Sequence, residues 1–259
     1  IDNSGSMNQF QTNLSTNISS FMNAFAATGA DYNMAVITTD RYTFSNILTP
    51  QTPNVEQALS SLVMTGIYGS GMEKGIQMSY QSLSTSTAAG PGGSFFRPDA
   101  TLVVIYVSDE KDWSSPDWSN YINFFDNIKP AGQFIPYGVI ADAPNGCQYT
   151  MSNGALRTLT PGWGYWDLID YYGGSWYSIC ATDWGVQLQD LAGEVTGRRM
   201  FELEESDPIV DTIEVTVNGQ VTAEWEYDET TNSVIFSVGH VPDEGQTINI
   251  EYAVWGCGE

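Results

Sequence analysis

In the stretch "IDNSGSM", Asp2, Ser4 and Ser6 alternate along the chain. On a turn, that spacing brings one carboxylate and two hydroxyls to a common point. Hard cations choose such oxygen donors, and Mg²⁺ usually keeps several waters beside a few protein oxygens. A simpler use of either serine is to cap the helix that follows. Two more segments carry matching groups. Asp109 ends the apolar run "TLVVIYVSD", and Ser70 lies in "YGSGMEKGI", immediately before a predicted helix. In an open α/β sheet, ligands gather at the carboxyl ends of the strands, so all three segments are expected at one rim. Glu110 and Asp112 follow Asp109 directly. They are candidates for shaping the potential of that rim or holding a second cation, with plain surface charge as the competing use.

Positioning these groups requires regular elements on either side. Phe10, Leu14, Ile18, Phe21, Met22 and Phe25 recur at helical spacing between Asn8 and Ala27, and Gly29 reads as the stop. "YNMAVITTD" (Tyr32 to Asp40) reads as a strand, and Val55 to Met64, with Pro53 before it, reads as a second helix. A third helix is expected from Met72 to about Leu83. The run from Thr101 to Asp109 is apolar almost throughout, as in a strand buried on both faces of a parallel sheet. Another helix over Asp117 to Ile128, a strand in "QFIPYGVIA", a strand in "GGSWYSI" and a helix over Asp183 to Val195 complete an alternating pattern. Strands alternating with helices predict a doubly wound, mostly parallel sheet covered on both sides.

Composition changes near Arg198. Residues 200 to 259 hold 14 acidic residues and no Lys or Arg. Polar and apolar residues alternate in "TIEVTVNGQVTAEWEY", where Asn218-Gly219 is a hairpin signal, and again in "NSVIFSV" and "TINIEYAV". Two domains are therefore expected, residues 1 to 198 as α/β and residues 199 to 259 as a small acidic β-sandwich-like domain.

Over the whole chain the formal charge is −23, from 31 acidic and 8 basic residues. Nucleic acid and anionic membrane surfaces would repel such a protein, while cations, basic surfaces and uncharged ligands stay open to it. No apolar run approaches the ~20 residues of a membrane helix. Cys147, Cys180 and Cys257 show no metal-binding spacing. Cys147 and Cys180 both follow adjacent predicted strands and are expected to pair. Cys257 would then seek a partner outside this chain. An extracellular or cell-surface setting follows from that expectation.

Taken together, Asp-x-Ser-x-Ser, then a hydroxyl ahead of a helix carrying Gly75, then an Asp ending an apolar strand resembles the von Willebrand factor type A domain over about residues 1 to 197. The ending "YYGGSWYSICATDWGVQLQDLAGEV" is similar to the last strand and helix of that family. The resemblance implies a metal-ion-dependent adhesion site made by Asp2, Ser4, Ser6, Ser70 and Asp109. Ser4 and Ser6 would bind the ion directly, and the aspartates directly or through water. The family usually has Thr at the position assigned to Ser70, and Thr65 is a competing candidate. The family's central first strand runs straight into the motif, yet only Ile1 precedes Asp2 here. Upstream polypeptide is expected to supply that strand.

The resemblance implies an adhesion or ligand-binding module. Its divalent cation, Mg²⁺, Ca²⁺ or Mn²⁺, would be completed by an acidic group of a protein or glycan partner. The alternative is a structural subunit of a surface fibre, pilus tip or secreted scaffold with a structural metal. Catalysis is not expected. "GSGMEKG" lacks the Gly-Lys-Ser/Thr of a phosphate loop, and His240, the one histidine, lies in a turn of the β tail beside Pro242 and reads as a solvent-exposed loop residue rather than a catalytic base. The aromatic residues Trp163, Tyr165, Trp166, Tyr171, Tyr172, Trp176 and Tyr177 are expected to be mostly buried. If exposed at the rim, Trp163 becomes a specificity candidate.

Overall fold

Apolar spacing becomes packing in the first helix, α1 (Asn8–Ala27), where Phe10, Leu14, Ile18, Phe21, Met22 and Phe25 are all buried. The structure is a computed structural model that describes residues 1–27, 30–44, 46–84, 95–151, 153–196, 200–229, 232–237, 240, 242 and 246–255. Gly29 and Cys257, for which a helix stop and an external partner were expected, lie outside the described residues. The chain divides into two compact units, Ile1–Ala192 and Gly193–Glu259.

In the first unit α1 is followed by α2 (Val55–Val63), α3 (Gly75–Ser84), β1 (Leu102–Ser108), α4 (Ile122–Ile128), β2 (Phe134–Ile140), β3 (Cys147–Thr150), β4 (Leu156–Leu159), α5 (Tyr165–Tyr171) and β5 (Trp176–Ser178), and α6 (Trp184–Thr196) spans the boundary. β2 lies between β1 and β5 and is parallel to both, with Leu102 opposite Phe134, Ser108 opposite Ile140, and Ile140 opposite Ser178. Every residue of β2 is buried, as a strand covered on both faces requires. Ile76, Tyr106, Phe125, Ile140, Tyr165 and Leu168 belong to the adjoining core, where Phe125 and Phe134 stack with ring centroids 4.1 Å apart. β3 and β4 form an antiparallel hairpin, and Cys147 at its start is bonded to Cys180 just beyond β5.

The expected doubly wound sheet is not what forms. Among the described residues, the parallel sheet has three strands, β1, β2 and β5, and the other sheets are small and antiparallel. The segment from Tyr32 to Asp40, expected as a strand, has only an isolated antiparallel bridge, Met34 to Leu48. The physical reason is the lack of a ladder. The Ile1 amino group donates to the Ile37 carbonyl (2.9 Å), and Thr39 N–H donates to the Ile1 carbonyl (3.2 Å). On the other side, Asp2 N–H donates to the Val107 carbonyl (2.9 Å). Two residues thus link the 37–39 segment to β1, too few for continuous pairing. A cavity of about 30 Å³ lies beside them, lined by Ile1, Ile37, Val104, Tyr106 and Tyr165 among others. The fold expected from the family resemblance is therefore corrected, since a three-stranded parallel sheet is not a doubly wound one.

The second unit contains β6 (Met200–Glu202), β7 (Glu214–Val217), β8 (Gln220–Thr222), β9 (Trp225–Asp228), β10 (Ser233–Phe236) and β11 (Ile248–Glu251). They make two antiparallel sheets, in the orders β6-β10-β9 and β11-β7-β8. Leu203, Ile213, Val215, Val234 and Phe236 form its buried core. Asn218 and Gly219 both have positive φ (50° and 77°) at the β7–β8 turn, the backbone that an Asn-Gly hairpin provides.

Candidate metal centre

The loop between Ile1 and α1 is held by its own side chains. Asp2 is fully buried. Its Oδ1 accepts the Ser4 N–H (2.7 Å), and its Oδ2 accepts the hydroxyl of Ser108 at the end of β1 (2.7 Å). Gln11, one turn into α1, closes the arrangement from below. Its Nε2 shares two N–H donors among the Asp2 carbonyl (2.9 Å), the Thr65 hydroxyl (2.9 Å) and the Gly66 carbonyl (2.8 Å). Thus Asp2, Thr65 and β1 are fixed relative to one another by short polar contacts.

Within this frame Ser4, Ser6 and Asp109 converge. Ser6 Oγ donates to Asp109 Oδ1 (3.0 Å), across 103 residues of sequence, and lies 3.1 Å from Ser4 Oγ. A hydroxyl has one proton. Ser6 commits its proton to Asp109, so Ser4 is the donor between the two serines. Lone pairs of Ser4, Ser6 and Asp109 remain free to act as acceptors. These hydroxyls turn toward each other and toward Asp109, an arrangement suited to a hard cation.

The remaining sequence candidates sit differently. Ser70 is exposed. Its Oγ accepts the Met72 N–H (3.0 Å), and its own N–H donates to Asp40 Oδ2 (3.2 Å). The hydrogen bond of Thr65 is to Gln11. Glu110 is half-buried, with its backbone N–H on the Ser108 hydroxyl (3.2 Å). Asp112 serves α3 from outside the helix: Oδ1 accepts the Ile76 N–H (3.3 Å) and Oδ2 the Ser114 N–H (3.1 Å). Trp163 is 38% exposed, its carbonyl accepts the Asp112 N–H (2.8 Å), and its ring meets Trp166 edge to face. Tyr165, by contrast, is fully buried and donates nothing to solvent; its hydroxyl accepts the Gly75 N–H (3.1 Å).

Sequence reasoning missed three contributors: Gln11, Ser108 and Glu73. Ser108 is legible afterwards as the hydroxyl next to Asp109, and Gln11 as a polar residue on the apolar stripe of α1. Glu73 is the strongest surprise. Its side chain is fully buried, and neither carboxylate oxygen has a hydrogen-bond partner among the described residues.

Electrostatics at the rim are one-sided. Burial, then the charge of Asp2 and then that of Glu110, pushes Glu73 up to about 8. Burial, aided by Asp2 and Glu110 and opposed by the Ser6 hydrogen bond, pushes Asp109 up to about 6. Neither carboxylate has an ion-pair partner among the described residues. Buried carboxylates without a counter-charge are costly, and a divalent cation would relieve that cost. The donor set therefore fits such an ion. Among the described residues, no three carboxylate, imidazole or thiol groups converge as a ready-made chelate, so the hydroxyls are integral to any coordination here.

No protein-family model matches the chain, and a search of curated proteins finds no match. The disulfide is compatible with an oxidising, extracellular environment. No helix among the described residues is long and apolar enough to cross a membrane.

Proposed function

We propose that this protein is a secreted or cell-surface binding module. Ser4, Ser6, Asp109 and Asp2 would hold a divalent cation whose open position takes an acidic group of a protein or glycan partner. The observation that carries this reading is that Ser6 Oγ lies within 3.1 Å of both Ser4 Oγ and Asp109 Oδ1, just beyond the end of β1. Neutral hydroxyls leave much of a cation's charge uncompensated. A partner carboxylate completing the shell then makes a charge-assisted contact with strict geometry. Asp2 accepts two hydrogen bonds and orients the loop that presents the serines.

Net charge supports a cation requirement. At −23 the protein would repel an acidic partner, so attraction must come from a local positive centre. The disulfide supports an exported location. Half-exposed Trp163, joined to Asp112 through its carbonyl, supplies an aromatic face for the partner beside the rim. Likeness to the adhesion site of type A domains supports the reading at the level of the loop residues and does not extend to the sheet.

The test is calorimetric titration of the metal-stripped protein with MgCl₂, CaCl₂ and MnCl₂. Asp109→Ala and Ser6→Ala are each expected to abolish measurable cation binding while the circular dichroism spectrum stays native. Parental affinity in both variants would remove the basis for the proposal.

A further inference from the structure

We infer that Glu73 is the group through which the segment before α3 serves the cation site, its carboxylate accepting hydrogen bonds from water carried by the ion. The inference rests on the reading given under Proposed function, and it moves the role expected of the Ser70 hydroxyl to a carboxylate three residues later.

Backbone contacts place Glu73 between the two loops of the site. Lys74 N–H donates to the Thr39 carbonyl (3.1 Å), and Thr39 N–H donates to the Ile1 carbonyl (3.2 Å), beside Asp2. Trp113 N–H donates to the Glu73 carbonyl (2.6 Å), which ties the residue to the loop that leaves Asp109. Glu73 is thus clasped from both sides and its side chain is fully buried. The groups acting most strongly on its carboxylate are Asp2 and Glu110, which are like charges.

Among the described residues, neither oxygen of this side chain receives a hydrogen bond from a donor group. Native structures rarely leave a buried carboxylate in this condition without a ligand or function. Water polarised by a divalent cation donates strongly and brings a positive field, both of which Glu73 lacks. Direct coordination by all three carboxylates is not what the structure prepares, because they do not converge as a chelate. The backbone ties of Glu73 to both loops suit an acceptor one layer out from the ion, and such outer partners influence metal affinity strongly. Ser70 offers no equivalent, being exposed with its hydroxyl engaged by Met72.

The experiment is calorimetric titration of the metal-stripped chain with CaCl₂ and MgCl₂, alongside thermal unfolding. Glu73→Gln is expected to weaken cation affinity about 10- to 100-fold, whereas Ser70→Ala keeps the parental value. Without metal, Glu73→Gln is expected to melt at or above the parental temperature, since a buried carboxyl group without a hydrogen-bond partner among the described residues has been removed. Glu73→Met, an apolar side chain of similar length, provides a second variant with the same expected loss. Parental affinity in either Glu73 variant, or an equal loss in Ser70→Ala, would overturn the inference. If affinity is lost in Asp109→Ala but kept in both Glu73 variants, this inference alone fails. If the parental protein takes up no cation, the proposed function fails with it.

Discussion

Glu73 and Asp109 are buried beside Asp2, and their protonation contributes to how the metal-free protein responds to pH. Folding raises Glu73 from 4.5 to about 8 and Asp109 from 3.8 to about 6. The native state therefore binds more protons than the unfolded chain between the paired values, so stability falls as pH rises through that interval. These two groups favour folding most below about pH 4, and that contribution is lost progressively up to about pH 8. With chelator present, the melting temperature is expected to decline across this range, and saturating CaCl₂ is expected to flatten the decline. The portion of the decline between pH 6 and 8 should vanish in Glu73→Gln. A chelated protein whose melting temperature rises steadily from pH 4 to 8 would contradict the assigned burial of these carboxylates.

At the scale of elements, the site depends on where β1 ends and where α3 begins. β1 delivers Ser108 and Asp109 in succession, one to Asp2 and the other to Ser6. α3 starts at Gly75, where a Cβ would lie 2.7 Å from the Tyr165 hydroxyl, so α3 and α5 approach closely only because that residue is glycine. Entry into β1 has its own anchor. Buried Lys129, just after α4, donates its ammonium to the carbonyls of Arg97 (2.6 Å), Pro98 (3.0 Å) and Ala100. Charged donors contribute more than neutral ones, and removing them leaves acceptors unpaired. Lys129→Met is accordingly expected to reduce the unfolding free energy by about 2–3 kcal/mol in urea titrations. A change within experimental scatter would show that the three carbonyls find other donors.

For the whole molecule, two features dominate: a division into two units and one disulfide that ties the first unit's hairpin to its sheet. Cys147 opens β3 and Cys180 follows β5, 33 residues apart. Closing a loop of that size in the unfolded chain stabilises the folded state by roughly 2–4 kcal/mol. Replacing both cysteines with serine should lower the unfolding free energy by that amount, read from urea unfolding. Identical unfolding curves for the oxidised parent and the double serine variant would show that the bridge contributes nothing to stability.

Local pattern by itself determined a good deal about this protein. The apolar stripe of α1, the core strands β1 and β2 and the Asn218-Gly219 turn all follow from spacing and residue type, because short-range backbone preference and burial act on neighbours in sequence; the cysteine pairing follows from the expected adjacency of the strands before each cysteine. The segment Tyr32 to Asp40 departs from its expected strand for the opposite reason. The apolar run from Met34 to Ile37 suits a strand, but a strand also needs a bonded neighbour, and pairing partners lie elsewhere in the chain. α5 has no legible helical period in the sequence, because aromatic residues stand on all its faces. Only the tertiary structure decided which oxygens meet at the rim. Ser4, Ser6 and Asp109 were visible as types, whereas the burial of Glu73 without a donor and the exposure of Ser70 depend on how loops 30 or more residues apart fold over one another.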